Sequence, residues 1–104
     1  MPNPQRGEVW LVDLGLAAKV RPCLVLSVPM INDERVLVTV IAHTTSLRKT
    51  RFEVEVSSKF LRPCVFDAQN IITVPTATLI RKLGVLNPFQ LSSIENAVRL
   101  WLGL

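Results

Sequence analysis

The 104-residue chain has little of what metal and cofactor chemistry usually require. It contains one histidine and two cysteines, and the cysteines do not form a C-x-x-C pair. It also has no glycine-rich phosphate loop and no serine in a nucleophile elbow. These absences argue against a metal cluster, a P-loop nucleotide site and a serine hydrolase, and we expect no cofactor.

Long apolar runs are also missing. No stretch approaches the roughly 20 residues of a membrane helix, and the first seven residues are polar and proline-rich, unlike a signal peptide. Cys23 and Cys64 both lie in apolar runs. Their number allows a disulfide, but two reduced, buried thiols in a cytoplasmic protein are the favoured interpretation.

The composition indicates one compact domain over residues 1–104. Hydrophobic residues make up 49% of the chain, enough for a real core. The net charge is +4 and the sequence pI is about 9.7. This modest basic excess permits a phosphate-bearing partner without requiring one.

Short strands and one helix account for most of the pattern. Segments rich in β-branched or alternating apolar residues predict six or seven strands, at 8–14, 21–27, 36–43, 52–56, 64–66, 70–74 and 82–86. A helix should begin after the N-cap Asn87 and end at Gly103, with Glu95 and Arg99 spaced for an ion pair. We therefore expect a small, strongly curved antiparallel sheet or partly open barrel, partly covered by the helix.

The segment 52–56 alternates cleanly. Phe52, Val54 and Val56 should face the core, because side chains of a strand alternate between its two faces. Glu53 and Glu55 should then face water, and a catalytic carboxylate pair is the less favoured interpretation.

Cations and hydroxyls gather at predicted strand ends. Arg21-Pro22 opens one apolar strand, Thr44-Thr45-Ser46 closes another, and Arg48, Lys49 and Arg51 follow at once. A guanidinium fork with a neighbouring hydroxyl could bind a phosphate and stabilise its transition-state charge. On the residues alone, an exposed Arg21 and threonines that satisfy strand ends remain the alternative.

Four motifs in this order resemble the MazF/PemK family of toxin endoribonucleases (mRNA interferases). They are Gly7-Glu8-Val9-Trp10, Arg21-Pro22 with its strand ending in Ser27, Thr44-Thr45-Ser46 before Phe52-Glu53-Val54, and Asp67-Ala68-Gln69. The resemblance implies an SH3-like barrel of the CcdB/PemK type with a C-terminal helix, and a homodimer. It also implies metal-independent, sequence-selective cleavage of single-stranded RNA, and an antitoxin encoded alongside with which the toxin binds DNA.

The same resemblance assigns Arg21 and Thr44 as catalytic residues. The ribose 2′-OH would attack the adjacent phosphorus, giving a 2′,3′-cyclic phosphate and a 5′-OH. Arg21 would stabilise the phosphorane, with proton transfer to the leaving oxygen as a second, less favoured role, and Thr44 would hold the phosphate. Contacts to RNA would come from the hydroxyls, the basic loop and one amide: Thr45, Ser46, Arg48, Lys49, Arg51 and Gln69.

Other residues keep two interpretations. His43 is either a general base or, as favoured, a packed or surface histidine. Trp10 is expected in the core or at its rim, with base stacking as the alternative. Asp67 and Gln69 are expected to buttress loops by hydrogen bonds, with RNA contact as the alternative. Family members often carry a longer loop with a glutamate before Arg-Pro, whereas the segment 15–20 here is short and lacks a carboxylate.

Two further functions are compatible with this fold. One is a non-enzymatic toxin that poisons DNA gyrase, as CcdB-type toxins do, with function carried by residues around Trp101. The other is a plain nucleic-acid-binding barrel that cuts nothing and binds RNA with a steep salt dependence.

Overall fold

The computed structural model describes residues 3–15 and 19–104. It contains six strands, one short 3₁₀ turn at Thr76–Thr78 and one α-helix. The strands are β1 (Glu8–Asp13), β2 (Val20–Val25), β3 (Leu37–Thr44), β4 (Glu53–Val56), β5 (Cys64–Pro75) and β6 (Leu79–Val85), and the helix is α1 (Pro88–Leu102).

All six strands belong to one antiparallel sheet in the order β4-β5-β3-β2-β1-β6. Within the described residues the two outer strands, β4 and β6, do not pair with each other, so the barrel-like sheet stays open. The prediction of a mainly β, curved antiparallel sheet with a C-terminal helix is confirmed.

Both faces of the central strands are buried. Leu24 and Ile41 pack with Ile94 of α1 on one face, whereas Cys23 and Val40, their neighbours in sequence, pack in a second cluster on the other. Because side chains alternate along a strand, uninterrupted apolar runs in β2 and β3 can fill two cores at once. Burial on both faces holds the central strands in place, and it also holds the residues at the ends of these strands.

The helix boundaries are confirmed. Asn87 Oδ1 accepts a hydrogen bond from the Gln90 N–H at 2.8 Å, and the Asn87 N–H donates to Gln90 Oε1 at 3.1 Å. Gly103 ends the helix with φ of 72°, a left-handed conformation that suits glycine.

The predicted ion pair between Glu95 and Arg99 is wrong. Glu95 pairs instead with Arg6, 89 residues earlier, and Arg99 donates to Asn96 Oδ1 at 3.1 Å. The guanidinium of Arg6 also donates to the Leu26 carbonyl. The N-terminal segment is thereby tied to α1, which local helical spacing could not predict.

The interruption predicted at residues 67–69, between two short strands, is a bulge within one strand. The segments 64–66 and 70–74 form a single strand, β5, rather than two. Its pairing with β3 passes from Ile41 opposite Ile71 to His43 opposite Phe66, so one residue of β3 faces residues 67–70 of β5. Such extra residues bend a strand and redirect its side chains.

Cys23 is a free thiol, fully buried in the second core cluster. Burial raises its pKa to about 12, although the positive charge of Arg21 acts to lower it. The prediction of a reduced, buried thiol is confirmed for Cys23, whereas the side chain of Cys64 lies outside those that the structure describes. No helix in the described residues is long and apolar enough to cross a membrane.

Candidate active site

The sheet divides between β2 and β3. Their pairing runs only from Val25–Val40 to Cys23–Ala42. Beyond the Cys23–Ala42 pair, β2 pairs only with β1 and β3 pairs only with β5. The start of β2 and the end of β3 thus form the two sides of a gap.

Arg21 and Thr44 lie on opposite sides of this gap. Each stands two residues beyond the last pair, Cys23–Ala42, on its own strand. Because side chains alternate, both belong to the face that carries Cys23 and Ala42. Both residues are half-buried and line the same cavity of about 280 Å³.

The walls of this smaller cavity combine cations, hydroxyls and polar groups from the bulge of β5. Besides Arg21 and Thr44, they include Ser46, Arg48, Asp67 and Asn70. Thr44 Oγ1 accepts a hydrogen bond from the Ser46 N–H at 3.0 Å, which turns the chain at the end of β3. The arrangement offers a guanidinium and hydroxyls to one anion, next to a carboxylate.

The basic loop is held by a carboxylate that we expected to face water. Glu53 accepts hydrogen bonds from the Arg48 N–H at 3.0 and 3.2 Å and from the Thr50 N–H at 3.2 Å. These backbone donors lower the pKa of Glu53, and the Arg48 N–H has the largest effect. The predicted solvated face holds for Glu55, which is exposed, but Glu53 is half-buried beneath the loop it organises.

A larger cavity of about 510 Å³ adjoins the first one, because Arg21 and His43 line both. It adds two arginines, Arg62 and Arg81, and the hydroxyl residue Thr45. Its apolar wall consists of side chains from four parts of the chain, including Leu11, Pro22, Phe60 and Leu83.

Sequence reasoning missed Phe60, Arg62 and Arg81. Phe60 and Arg62 lie in a connection between strands and Arg81 lies on an edge strand, where exposed arginines are common. No local pattern distinguishes them from ordinary surface residues.

His43 is packed, as the favoured interpretation predicted. It is only 4% exposed and contacts the Phe66 ring edge-on, with ring centroids 5.1 Å apart. Its Nε2 has no hydrogen-bond partner among the described residues. Burial lowers the pKa of His43, so its imidazole is neutral at neutral pH.

Three predicted RNA-binding residues line neither of these cavities. Lys49 is exposed with a left-handed φ of 57°, and the Arg51 guanidinium lies 4.8 Å from the centre of the Phe52 ring. The Gln69 N–H donates to Asp67 Oδ1 at 3.0 Å within the bulge. Asp67 therefore has the predicted buttressing role, although it also lines the smaller cavity.

Trp10 lies at the rim of the core, as predicted. It is half-buried, packs against the second core cluster and donates through Nε1 to Glu8 Oε1 at 3.0 Å. Glu8 Oε2 lies 3.0 Å from Lys82 Nζ. Burial opposes the ionisation of Glu8, but these partners and the Gln5 N–H lower its pKa below the usual value.

The loop before Arg21 is described only at its ends. The expectation of a short loop 15–20 without a carboxylate falls partly on residues 16–18, which lie outside the described residues. Around them, the Leu14 N–H donates to the Lys19 carbonyl at 2.9 Å, and the Lys19 N–H donates to the Gly15 carbonyl at 2.7 Å. The chain therefore closes tightly before β2. Among the described residues, no group of three or more His, Cys, Asp or Glu side chains could hold a metal ion.

Comparison with known proteins places this geometry in context. The chain matches the model of the PemK-like, MazF-like toxins of type II toxin–antitoxin systems over residues 5–102. It is similar to an endoribonuclease of a mycobacterial species, solved in complex with its cognate antitoxin, at 29% identity and a TM-score of 0.83 over 97% of this chain and 96% of that one.

Two other solved structures extend the comparison. The Mycobacterium tuberculosis toxin MazF-mt6 is 27% identical, with a TM-score of 0.80 over 93% of this chain and 97% of that one. A MazE–MazF structure from Deinococcus radiodurans is 19% identical, with a TM-score of 0.83 over 100% of this chain and 99% of that one, and shares the fold. The resemblance noted in the four sequence motifs is thereby confirmed.

Proposed function

Because this chain belongs to the family of PemK-like, MazF-like toxins of type II toxin–antitoxin systems, we propose that it is a metal-independent, sequence-selective endoribonuclease acting on single-stranded mRNA. The observation that carries the proposal is the smaller cavity, in which Arg21 and Thr44 line one space from opposite sides of the gap in the sheet. Its site of action would be the cytoplasm.

The scissile phosphate would bind between these two residues. A guanidinium presents several N–H donors in a plane that matches two phosphate oxygens. The Thr44 hydroxyl can donate to the same group. Such fixed donors stabilise charge that grows on the phosphorane without any metal ion.

The reaction is an in-line displacement at phosphorus. The 2′-OH gives its proton to a base as the 2′ oxygen forms a bond to phosphorus, the bond from phosphorus to the 5′ oxygen breaks, and the 5′ oxygen takes up a proton from water. The products are a 2′,3′-cyclic phosphate and a 5′-OH. Since a guanidinium stays protonated in proteins, Arg21 stabilises charge and does not accept the 2′-OH proton.

Asp67 is suited to accept that proton. It offers a carboxylate on the wall of the smaller cavity, partly engaged by the Gln69 N–H. His43 is less suited, because its ring packs on Phe66 of the main core cluster and its Nε2 is buried. Loss of the Asp67 carboxylate should therefore lower the rate of cleavage.

RNA on either side of the cleaved bond would follow the basic loop. Arg48 lines the cavity, while Lys49 and Arg51 are exposed beyond it. Thr45, Ser46 and Gln69 add polar groups at the rim or on the adjacent bulge. Binding should therefore weaken with salt, as for other ligands held through phosphate.

The decisive experiment incubates purified protein with single-stranded RNA in excess EDTA. We expect cleavage with 5′-OH ends, detected by direct labelling with polynucleotide kinase, and none where the cleaved nucleotide carries a 2′-O-methyl group. Arg21→Ala and Thr44→Val should each lower kcat by about 100-fold or more, as for the loss of a transition-state donor.

The matched control is Arg35→Ala, which removes an exposed arginine from the loop before β3. It should cleave like the wild type, and circular dichroism should show all variants folded. Intact RNA across varied sequences would refute the proposal, and retained gyrase inhibition by Arg21→Ala would support the CcdB-like alternative. Binding without cleavage would identify a plain nucleic-acid-binding barrel.

We also propose a homodimer and binding to a cognate antitoxin, as family membership suggests. The supporting observation is apolar surface at the end of α1, where Leu102 is 53% and Leu104 is 84% exposed. Sedimentation velocity should give a dimer that Leu102→Asp weakens. An acidic protein from the neighbouring reading frame should co-purify with this chain of net charge +4.

A further inference from the structure

We propose that the larger cavity binds the nucleotide next to the scissile phosphate, with its base stacked on Phe60 and the edge of that base read by Thr45. This inference rests on the proposed function, because it concerns how the same RNA is held. A volume of about 510 Å³ is within the usual range of small-ligand sites.

Position is the first argument. Arg21 and His43 form part of the walls of both cavities, so the two spaces are contiguous. With the scissile phosphate beside Arg21, the adjoining space is where the neighbouring nucleotide of the strand would lie. Successive phosphates of one strand are close enough for this placement.

Charge is the second argument. Arg62 and Arg81 are both exposed at this cavity, and none of its lining residues is acidic. Two guanidinium groups without a neutralising carboxylate in the lining attract a polyanion. They would hold the phosphate that follows the bound nucleotide, since Arg is well suited to phosphate oxygens.

An apolar wall is the third argument. Pro22, Phe60 and Leu83 are half-buried there, and Phe60 also packs on the main core cluster. A Cβ added at Gly84 would overlap the Phe60 ring, so the ring lies directly on the backbone of β6. An aromatic ring fixed in this way offers a surface on which a base can stack.

A polar group beside this wall can read the edge of the base. Thr45 is exposed at the cavity, and its hydroxyl can both donate and accept a hydrogen bond. Stacking alone tolerates any base, whereas hydrogen bonds to a base edge discriminate among them. The combination therefore predicts a preference at one position rather than uniform binding.

The test uses a pool of random-sequence single-stranded RNA. The 5′-OH ends made by the wild type in EDTA are sequenced, which gives the base preference at each position around the cut. In Phe60→Ala we expect the preference to flatten at one position next to the cut and to persist elsewhere. kcat/KM on the preferred sequence should fall by about 5- to 140-fold, corresponding to one stacked base.

Arg62→Ala should act differently. We expect KM to rise for all sequences and the salt dependence of binding to weaken, with kcat and the base preference unchanged. Arg35→Ala, an exposed arginine that lines neither cavity, should match the wild type in all of these measurements.

Binding to a 2′-O-methyl pool separates this inference from the proposed function, because such RNA cannot be cleaved by its own 2′-OH. If the wild type cleaves RNA but folded Phe60→Ala keeps its preference in both pools, the subsite is refuted. If the wild type does not cleave, the proposed function fails, whereas a Phe60-dependent base preference among bound sequences would still support the subsite. If Phe60→Ala does not fold, Gly84→Ala provides the same test by displacing the ring, with the same two outcomes.

Discussion

Replacing Glu53 by Gln should weaken RNA cleavage although Glu53 does not reach the proposed scissile phosphate. The carboxylate holds the basic loop by accepting hydrogen bonds from the Arg48 and Thr50 N–H groups at 3.0 to 3.2 Å. Arg48 in turn lines the smaller cavity with Arg21 and Thr44. We therefore predict that Glu53 acts as a positioning residue.

The expected magnitude follows from what an amide at this position retains. The glutamine side chain would keep one acceptor oxygen where the carboxylate has two, and it would lose the charge that strengthens each bond. In addition, its NH₂ group would face backbone N–H donors. A shift of about 1 Å in a positioning group costs up to about 100-fold in rate. Because the loop keeps part of its anchoring, we expect kcat/KM to fall by about tenfold.

The assay compares initial rates on one RNA substrate in EDTA for the wild type, Glu53→Gln and Glu55→Gln. The control makes the same charge change two residues away on the same strand, at an exposed position. Backbone donors, of which Arg48 has the largest effect, lower the pKa of Glu53. The tenfold ratio between the wild-type rate and the Glu53→Gln rate should therefore be constant between pH 6 and 9. Wild-type activity in Glu53→Gln, or an equal loss of activity in Glu53→Gln and Glu55→Gln, would refute the positioning role.

Three further predictions concern the pH dependence of stability, the acceptor of the 2′-OH proton and the helix cap. His43 has a lowered pKa from burial, so its contribution to stability is complete above pH 6.5 and declines as the pH falls towards its lower folded-state pKa; thermal unfolding should show this decline in the wild type and not in His43→Gln. Asp67→Asn should lower kcat by about 100-fold because it removes the proposed acceptor of the 2′-OH proton, and an unchanged kcat would refute that role. Asn87→Ala should destabilise the protein by about 1 kcal/mol, lowering Tm by about 4–8 °C without affecting cleavage, and an unchanged Tm would contradict the capping role.

Local chemistry was enough to predict the helix, the central strands and the polar groups at their ends, whereas the family resemblance singled out the catalytic pair. The helix follows from its caps, Asn87 and Gly103, and β3 follows from its β-branched run. Arg21 and Thr44 stand out because each polar group directly adjoins an apolar strand. Antiparallel pairing of β2 with β3 then brings the two residues together.

Long-range contacts were beyond such reasoning. Glu53 alternates with core residues, as a solvated strand residue would, and nothing in that spacing shows the loop folding back over it. The larger cavity needs Phe60 from a connection, Arg62 beside it and Arg81 from β6. Their approach depends on the order of strands in the sheet, which no local pattern contains.

The division of the sheet at Ala42 explains why the site can be both open and rigid. Each side of the gap keeps a partner strand of its own: β2 pairs with β1 as far as Val20, and β3 pairs with β5 as far as Thr44. Arg21 and Thr44 are therefore held by backbone ladders on their outer sides while facing the cavity between them. Catalysis by electrostatic stabilisation requires donors that need not reorganise during the reaction. A gap between two anchored strands meets that requirement, whereas donors on a free loop would not.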